Sequence, residues 1–411
     1  MPDLLAQLPE PSNKRIALRV QPAAERALLR GHPWLFDGAI QQQSHAGQPG
    51  DLAVVFDSQR KFLAIGLYDP HSPIRVRILQ HRRPASIDQA WFAARLQAAR
   101  QRRQAIPPHT DGYRLVHGEN DGLPGLVVDR YAGVLVVHLD TAAWIPHLRP
   151  VLAELEQQLK PDSIVLRLAR SLAQHPLSLH GLADGSLLTG EPLKLPLFFH
   201  ENGLTFEVNP LVGQKTGFFL DQRENRARVE ALAAGLNVLN VFAYSGGFSL
   251  YAARGGAPVV ESVDLSQPAL QSAQRNFQLN QDKPNVAACR HRITCADAFN
   301  FLEQAAQHGQ NYDLVVLDPP AFARRQAEIG AALTAYQRLT RLGLAVLRPG
   351  GILVQASRSS RVPAEDFFTA IHQAAGEAGR MLQEIERSGH AIDHPVGFPE
   401  GAYLKCLFGR G

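Results

Sequence analysis

Four short segments in the second half of the chain carry residues whose types and spacing could do chemistry. In VLNVFAYSGGFSLYAARGG, an apolar run ends at Tyr244-Ser245-Gly246-Gly247-Phe248, where a glycine pair lets the backbone pass close to a ligand before a helix begins. The spacing is not the GxGxxG dinucleotide fingerprint, and a tight turn with no ligand explains the glycines as well. Asp264, followed by Leu265, ends the next apolar run 18 residues after Gly246, where a carboxylate can accept both hydroxyls of a ribose. Asp297, followed by Ala298, can accept from an adenine amine or cap the helix that starts there. The last segment, LVVLDPPAF, delivers Asp318 into Pro319-Pro320 with Phe322 just beyond. Two prolines fix that backbone so that carbonyls face outward. The aromatic ring can stack on a flipped base, and Asp318 can hydrogen-bond the base or a cofactor amine.

The elements around these segments decide where they meet. Apolar strands are predicted at 238–243, 259–264, 313–318 and 351–357, and helices at 248–254, 267–279, 298–307 and 326–347. Strand–helix alternation at this spacing implies an α/β, doubly wound parallel sheet, which binds ligands at the carboxyl ends of its strands. Upstream, period-two runs at 16–20, 52–57, 63–68 and 74–79, with a helix at 22–30, imply a small β-rich domain. An Arg-rich helix at 86–105 reads most simply as a solvated face. Residues 111–200 form a second α+β segment with strands at 126–129 and 134–139 and a helix at 145–159. In that segment Asp129 and Arg130 read as a surface pair. Together the four segments imply a methyltransferase that uses S-adenosylmethionine on a planar base, with no metal implied. An NAD-linked oxidoreductase on the same sheet lacks its glycine fingerprint, and the DPPAF loop has no role in it.

The 411 residues make two to three domains, and 45% hydrophobic with 19% charged residues excludes a disordered tail. A net charge of +4 excludes a polybasic protein, but 35 of the 42 basic residues are arginine, which forks onto phosphates and stacks on bases. Residues 1–110 carry 15 Lys/Arg against 8 Asp/Glu, whereas the remainder is net negative. One end is suited to a polyanion. Three cysteines, Cys289, Cys295 and Cys406, form neither a disulfide framework nor a zinc cluster and fit a reducing, cytoplasmic setting. The start reads as no signal peptide, and no run is long enough to span a bilayer, so no membrane is expected.

Beyond single residues, long segments resemble the RlmI-type large-subunit ribosomal RNA methyltransferases nearly end to end. Those segments are Gly31-His32-Pro33-Trp34, GENDGLPGLVVDRY, GQKTGFFLDQRENR (213–226), NVFAYSGGF, SVDLS, DPPAF and DHPVGFPEGAYLK (393–405). The resemblance implies a tail at 1–13, a PUA-like RNA-binding domain at 14–82 and a central α+β domain at 83–204. A Rossmann-like class I methyltransferase domain follows at 205–411. It implies S-adenosylmethionine as cofactor, 23S ribosomal RNA as partner and 5-methylcytosine as product. It also implies that Lys215 and Arg223 meet the cofactor carboxylate or an RNA phosphate. Whether the chain is a monomer or a homodimer stays open.

One departure bears on the chemistry. Where the family carries Ser-Cys-Ser after the fifth strand, this chain has Ser357-Arg358-Ser359. Methylating carbon 5 of cytosine needs a thiolate to add at carbon 6, which arginine cannot supply. The residues therefore favour a nitrogen target, such as guanine N7 or an exocyclic amine, which needs only positioning and desolvation. A third reading is an RNA-binding protein that has lost catalysis.

Overall fold

The structure is a computed structural model, and it describes residues 4–175, 179–213 and 215–411. The first three residues of the expected tail and Gln214 of the 213–226 segment lie outside the described residues. The chain divides into two compact units. One comprises 1–203, 208–218 and 392–398, the other 204–207, 219–391 and 399–411.

The first unit holds two sheets. A six-stranded sheet runs in the order Trp34–Phe36, Ile74–His81, Phe62–Tyr68, Leu52–Phe56, Ile16–Val20, Ile40–Gln43. All its pairings are antiparallel except Ile16–Val20 beside Leu52–Phe56. A five-stranded sheet follows in the order Leu187–Gly190, Ser163–Leu168, Val134–Leu139, Leu126–Tyr131, Gly112–His117. One apolar cluster joins Leu67 and Leu79 of the first sheet to Val128 and Val137 of the second, through Phe92, Leu96 and Trp144.

Two charged residues in this unit are buried for the same reason. The Arg-rich helix spans Gln89–Arg102, started by Asp88, whose side chain accepts from the Trp91 N–H. Arg100 and Arg102 are exposed, as a solvated face requires. Arg103, just beyond the helix, is instead 5% exposed and forks Asp121 at 2.8 and 2.7 Å. Asp129, read as a surface residue, is fully buried and takes a two-pronged bond from Arg114 at 2.8 and 2.9 Å. In both places an ion pair makes burial of the charge tolerable, and charge count alone does not reveal pairing. The expected helix at 145–159 is α-helical only over Leu148–Leu159, with a 3-10 stretch Ala142–His147 before it, where Pro146 has no N–H to give.

The second unit is built on a seven-stranded sheet. In chain order its strands are Asn237–Val241, Val259–Asp264, Arg290–Cys295, Tyr312–Leu317, Leu347–Ser357, Gln383–Ser388 and Lys405–Arg410. In space they run third, second, first, fourth, fifth, seventh, sixth. The first five are mutually parallel, and the seventh inserts antiparallel between the fifth and sixth. The order reverses between the first and fourth strands, which pair Val241 with Leu317, so a crevice opens at the carboxyl ends there. The fifth strand starts earlier than its apolar run, at Leu347. Its register against the fourth shifts between Tyr312 and Leu314, absorbing Pro349-Gly350 as an irregularity.

The fifth strand delivers Ser357 and Arg358, and Leu353 within it is 1% exposed in the cluster with Leu317, Tyr336 and Phe367. Leu353→Ala is expected to lower unfolding stability by about 2–5 kcal/mol. Urea denaturation followed by circular dichroism checks it.

Candidate active site

The loop after the first strand is held in an unusual backbone conformation. Phe242 and Tyr244 both have positive φ, 62° and 49°, and Gly246 has φ 76°. Left-handed backbone at two non-glycine residues is strained and persists only where surrounding structure enforces it. Part of the enforcement is Asp264. Its Oδ2 accepts the Tyr244 N–H and its Oδ1 the Ser266 N–H, each at 2.8 Å. Each carboxylate oxygen keeps a second lone pair, so hydroxyls can still be accepted. At Gly246 a Cβ would stand 2.7 Å from the Ala273 Cβ, so no other residue fits without displacement. The helix Gly247–Arg254 then begins with no side-chain cap.

Around this loop the predicted cofactor residues converge. Leu265, beside Asp264, is 73% exposed, an uncovered apolar side chain at the carboxyl end of the second strand. Across the register Asp264 pairs with Cys295, and its carbonyl accepts the Ala296 N–H at 3.1 Å, which brings Asp297 and buried Ala298 alongside. Asp297 Oδ1 caps the helix Ala298–Gln307 through the Phe299 and Asn300 N–H groups. Ser245 is 5% exposed, and its hydroxyl is buried with no partner among the described residues. Phe248 is buried under the turn. An orphaned hydroxyl, an uncapped helix start, a ribose-type carboxylate and an exposed leucine together fit a nucleoside with a polar tail. The two expected cations differ in burial. Lys215 is exposed and belongs to the first unit. Arg223 is fully buried, with Nη2 bonded to Glu224 Oε1 at 2.9 Å.

The second half of the site surrounds Asp318, which follows the fourth strand. Arg358 grips it with two prongs, Nε to Oδ1 at 3.3 Å and Nη2 to Oδ2 at 3.2 Å. The same guanidinium reaches Asp221, Nη2 to Oδ1 at 3.2 Å and Nη1 to Oδ2 at 3.4 Å. Asp221 Oδ2 also accepts from the Tyr403 hydroxyl at 2.9 Å. The guanidinium lies over the Phe219 ring, 4.0 Å from its centroid. Burial alone would weaken the Arg358 charge, but the two carboxylates outweigh it and hold its pKa above the ordinary arginine value. Phe219 in turn meets Tyr244 edge to face at 5.2 Å. The Phe242–Gly246 loop and the carboxylate centre therefore share one wall.

Pro319 is buried and Pro320 exposed, so the double proline turns the chain outward directly after Asp318. Phe322 is half-buried, packed against Tyr336 at 4.9 Å between ring centroids. The Tyr336 hydroxyl bonds Ser357 and Ser359 at 2.8 and 3.1 Å, fixing both neighbours of Arg358. Lys405 donates to the Ser359 and Tyr403 carbonyls, and burial pushes its ammonium pKa down to about 8. No cysteine takes the place of Arg358. Cys406 is fully buried, and burial raises its thiol pKa far above the usual value; burial also lifts Cys289 to about 11. Cys295 is exposed and donates to the Leu265 carbonyl at 3.4 Å. Asp221 and Tyr403 escaped single-residue reading, although both lie in the long segments 213–226 and 393–405.

Comparison with known proteins gives this geometry a family. The profile for S-adenosylmethionine-dependent methyltransferases matches residues 113–410, and that for PUA-like domains matches 18–81. A relative from Deinococcus radiodurans, named a ribosomal RNA large subunit methyltransferase, is 52% identical over 97% of this chain and 98% of its own. One from Shewanella amazonensis, named ribosomal RNA large subunit methyltransferase I, is 37% identical over 96% and 99%. A solved structure described as a methyltransferase from Streptococcus mutans shares the fold, with TM-score 0.80 at 22% identity over 96% of this chain and all of the other. Another methyltransferase, crystallised with S-adenosylhomocysteine, has TM-score 0.81 at 22% identity over 97% and 100%. This chain belongs to the S-adenosylmethionine-dependent methyltransferases, with a PUA-like domain ahead of the methyltransferase region.

Proposed function

We propose that the protein methylates a base of large-subunit ribosomal RNA, 23S in a bacterial ribosome. The observation that carries this reading is the shared wall. Phe219 touches Tyr244 of the cofactor loop on one side and the Arg358 bound to Asp318 on the other. The names of the relatives at 52% and 37% identity, both large-subunit rRNA methyltransferases, support the substrate. The PUA-like match at 18–81 and the basic balance of residues 1–110 support RNA docking by the domain at 14–82.

The cofactor supplies an electrophilic methyl group on a sulfonium centre. In this reading the Gly246 turn and the orphaned Ser245 hydroxyl hold its methionine and ribose portion. Asp264 takes the ribose hydroxyls, while Asp297 and Leu265 bracket the adenine. Asp318 accepts an N–H of the target base, and Pro319-Pro320 set the rim of its pocket. Phe322 offers the base one face at most, since Tyr336 covers another part of its ring. The chain's contribution is orientation and exclusion of water.

At the target atom the site residues favour nitrogen. Asp318 is a hydrogen-bond acceptor already aligned by Arg358, and that arginine stands where carbon 5 chemistry asks for a thiolate. The second reading, 5-methylcytosine, is favoured by the resemblance along nearly the whole chain.

Mass-spectrometric mapping of rRNA from cells with and without the protein decides between them. A missing methylated guanine or amine is the expected result, a missing 5-methylcytosine overturns the nitrogen assignment, and an unchanged map overturns the function. Asp318→Ala is expected to slow single-turnover methyl transfer by about 100-fold or more while leaving cofactor affinity intact. Asp264→Ala is expected to weaken S-adenosylmethionine binding by roughly 10- to 100-fold, read by calorimetry.

A further inference from the structure

Three charged side chains meet after the fourth and fifth strands with almost no solvent around them. The exposures of the Arg358, Asp221 and Asp318 side chains are 8%, 3% and 12%. Such a cluster is a poor way to gain stability, because desolvating three charges costs about as much as their attraction returns. A merely structural contact could be replaced by packed apolar groups at little loss. The placement of this one suggests another use. Both carboxylates lie 3.2 Å from the same nitrogen, Arg358 Nη2, and the guanidinium plane lies against Phe219.

We propose that Arg358 is a positioning residue for methyl transfer. It fixes the Asp318 carboxylate in one orientation for the target base, and it compensates the second negative charge that Asp221 brings beside it. This rests on the reading that Asp318 holds the base. A two-pronged bond to Asp318, with a further bond from Nη1 to Asp221, defines a plane, which a point-charge ammonium cannot do. The support extends outward from there. Tyr403 fixes Asp221 from before the seventh strand. Tyr336 fixes Ser357 and Ser359 on either side of the arginine. Facing Asp318 from the elements packed on it are Arg358 and, through Arg358, Asp221 with Tyr403. Tyr336 of the helix Ile329–Ala345 and Cys406 of the seventh strand also feel the Asp318 charge.

The test is single-turnover methyl transfer by the full-length protein, with rRNA from cells lacking it and labelled S-adenosylmethionine, with rate and cofactor affinity read separately. Arg358→Gln is expected to slow transfer at least about 10-fold. Arg358→Lys keeps the charge without the fork, so it should not restore the rate. Calorimetric S-adenosylmethionine affinity should be unchanged in both, which also shows that they fold. An Arg358→Gln rate equal to that of the unaltered protein, while Asp318→Ala is inactive, overturns the role of Arg358 alone. Full activity of Asp318→Ala overturns the assignment of Asp318 and this proposal with it.

Discussion

Two carboxylates nearly withdrawn from solvent, Asp221 and Asp318, share a single guanidinium, and the carboxyl edge of the sheet is arranged so that they can. Like charges brought to the same nitrogen repel one another, and the intervening guanidinium offsets that repulsion. The cation must also hydrogen-bond both carboxylates in fixed directions, and arginine's planar fork can do that. The carboxylates come from two loops, Arg358 from a third and Tyr403 from a fourth, so the interaction exists only if the chain returns to one place four times.

Sheet topology provides those returns. Parallel strands all end at the same edge, and the pairings Val241 with Leu317 and Leu317 with Gln355 set the ends of the first, fourth and fifth strands side by side. The residues just past those ends are the Phe242–Gly246 loop, Asp318 and the Ser357–Ser359 triplet. The seventh strand runs the other way and therefore starts where the fifth ends, with Lys405 opposite Ser357. That reversal brings Tyr403 and the Lys405 ammonium to the carboxyl edge of the parallel strands; a parallel strand would have placed them at the far side. The antiparallel insertion is thus a requirement of the site as much as of the sheet.

How much of this was legible in the sequence depended on where each strand sits. The first, second and fourth strands are covered on both faces and read as apolar runs, so their positions and the residues at their ends were recoverable. The third strand, RHRITC, and the sixth, QEIERS, lie at the sheet edges with mostly exposed side chains, and their sequences carry no apolar run to find. The candidate site split in the same way. Asp264, Asp297 and Asp318 sit at strand or helix ends, where local pattern speaks. Asp221 sits in a 3-10 turn among polar neighbours, and only its long-range partners reveal it. Burial of a charge is a tertiary property, which is why Arg103 and Asp129 were read as surface groups and are instead paired in the interior.

The abundance of arginine over lysine carries two meanings that composition alone merges. Some arginines are spent inside the protein: Arg103 on Asp121, Arg114 on Asp129, Arg223 on Glu224 and Arg358 on two carboxylates. In the basic front, Arg75 is bonded to Asp37 and Arg77 lies 3.8 Å from Glu119, so these too are partly neutralised. The basic charge open to solvent rests on exposed side chains such as Lys14, Arg15, Arg26, Arg30, Arg60 and Lys61, all within the first unit. A polyanion senses the field of those groups and hardly that of the paired ones, since a buried ion pair presents a dipole rather than a charge. Regional net charge therefore sums both kinds and does not show which arginines are left exposed and which, like Arg358, are paired in the interior.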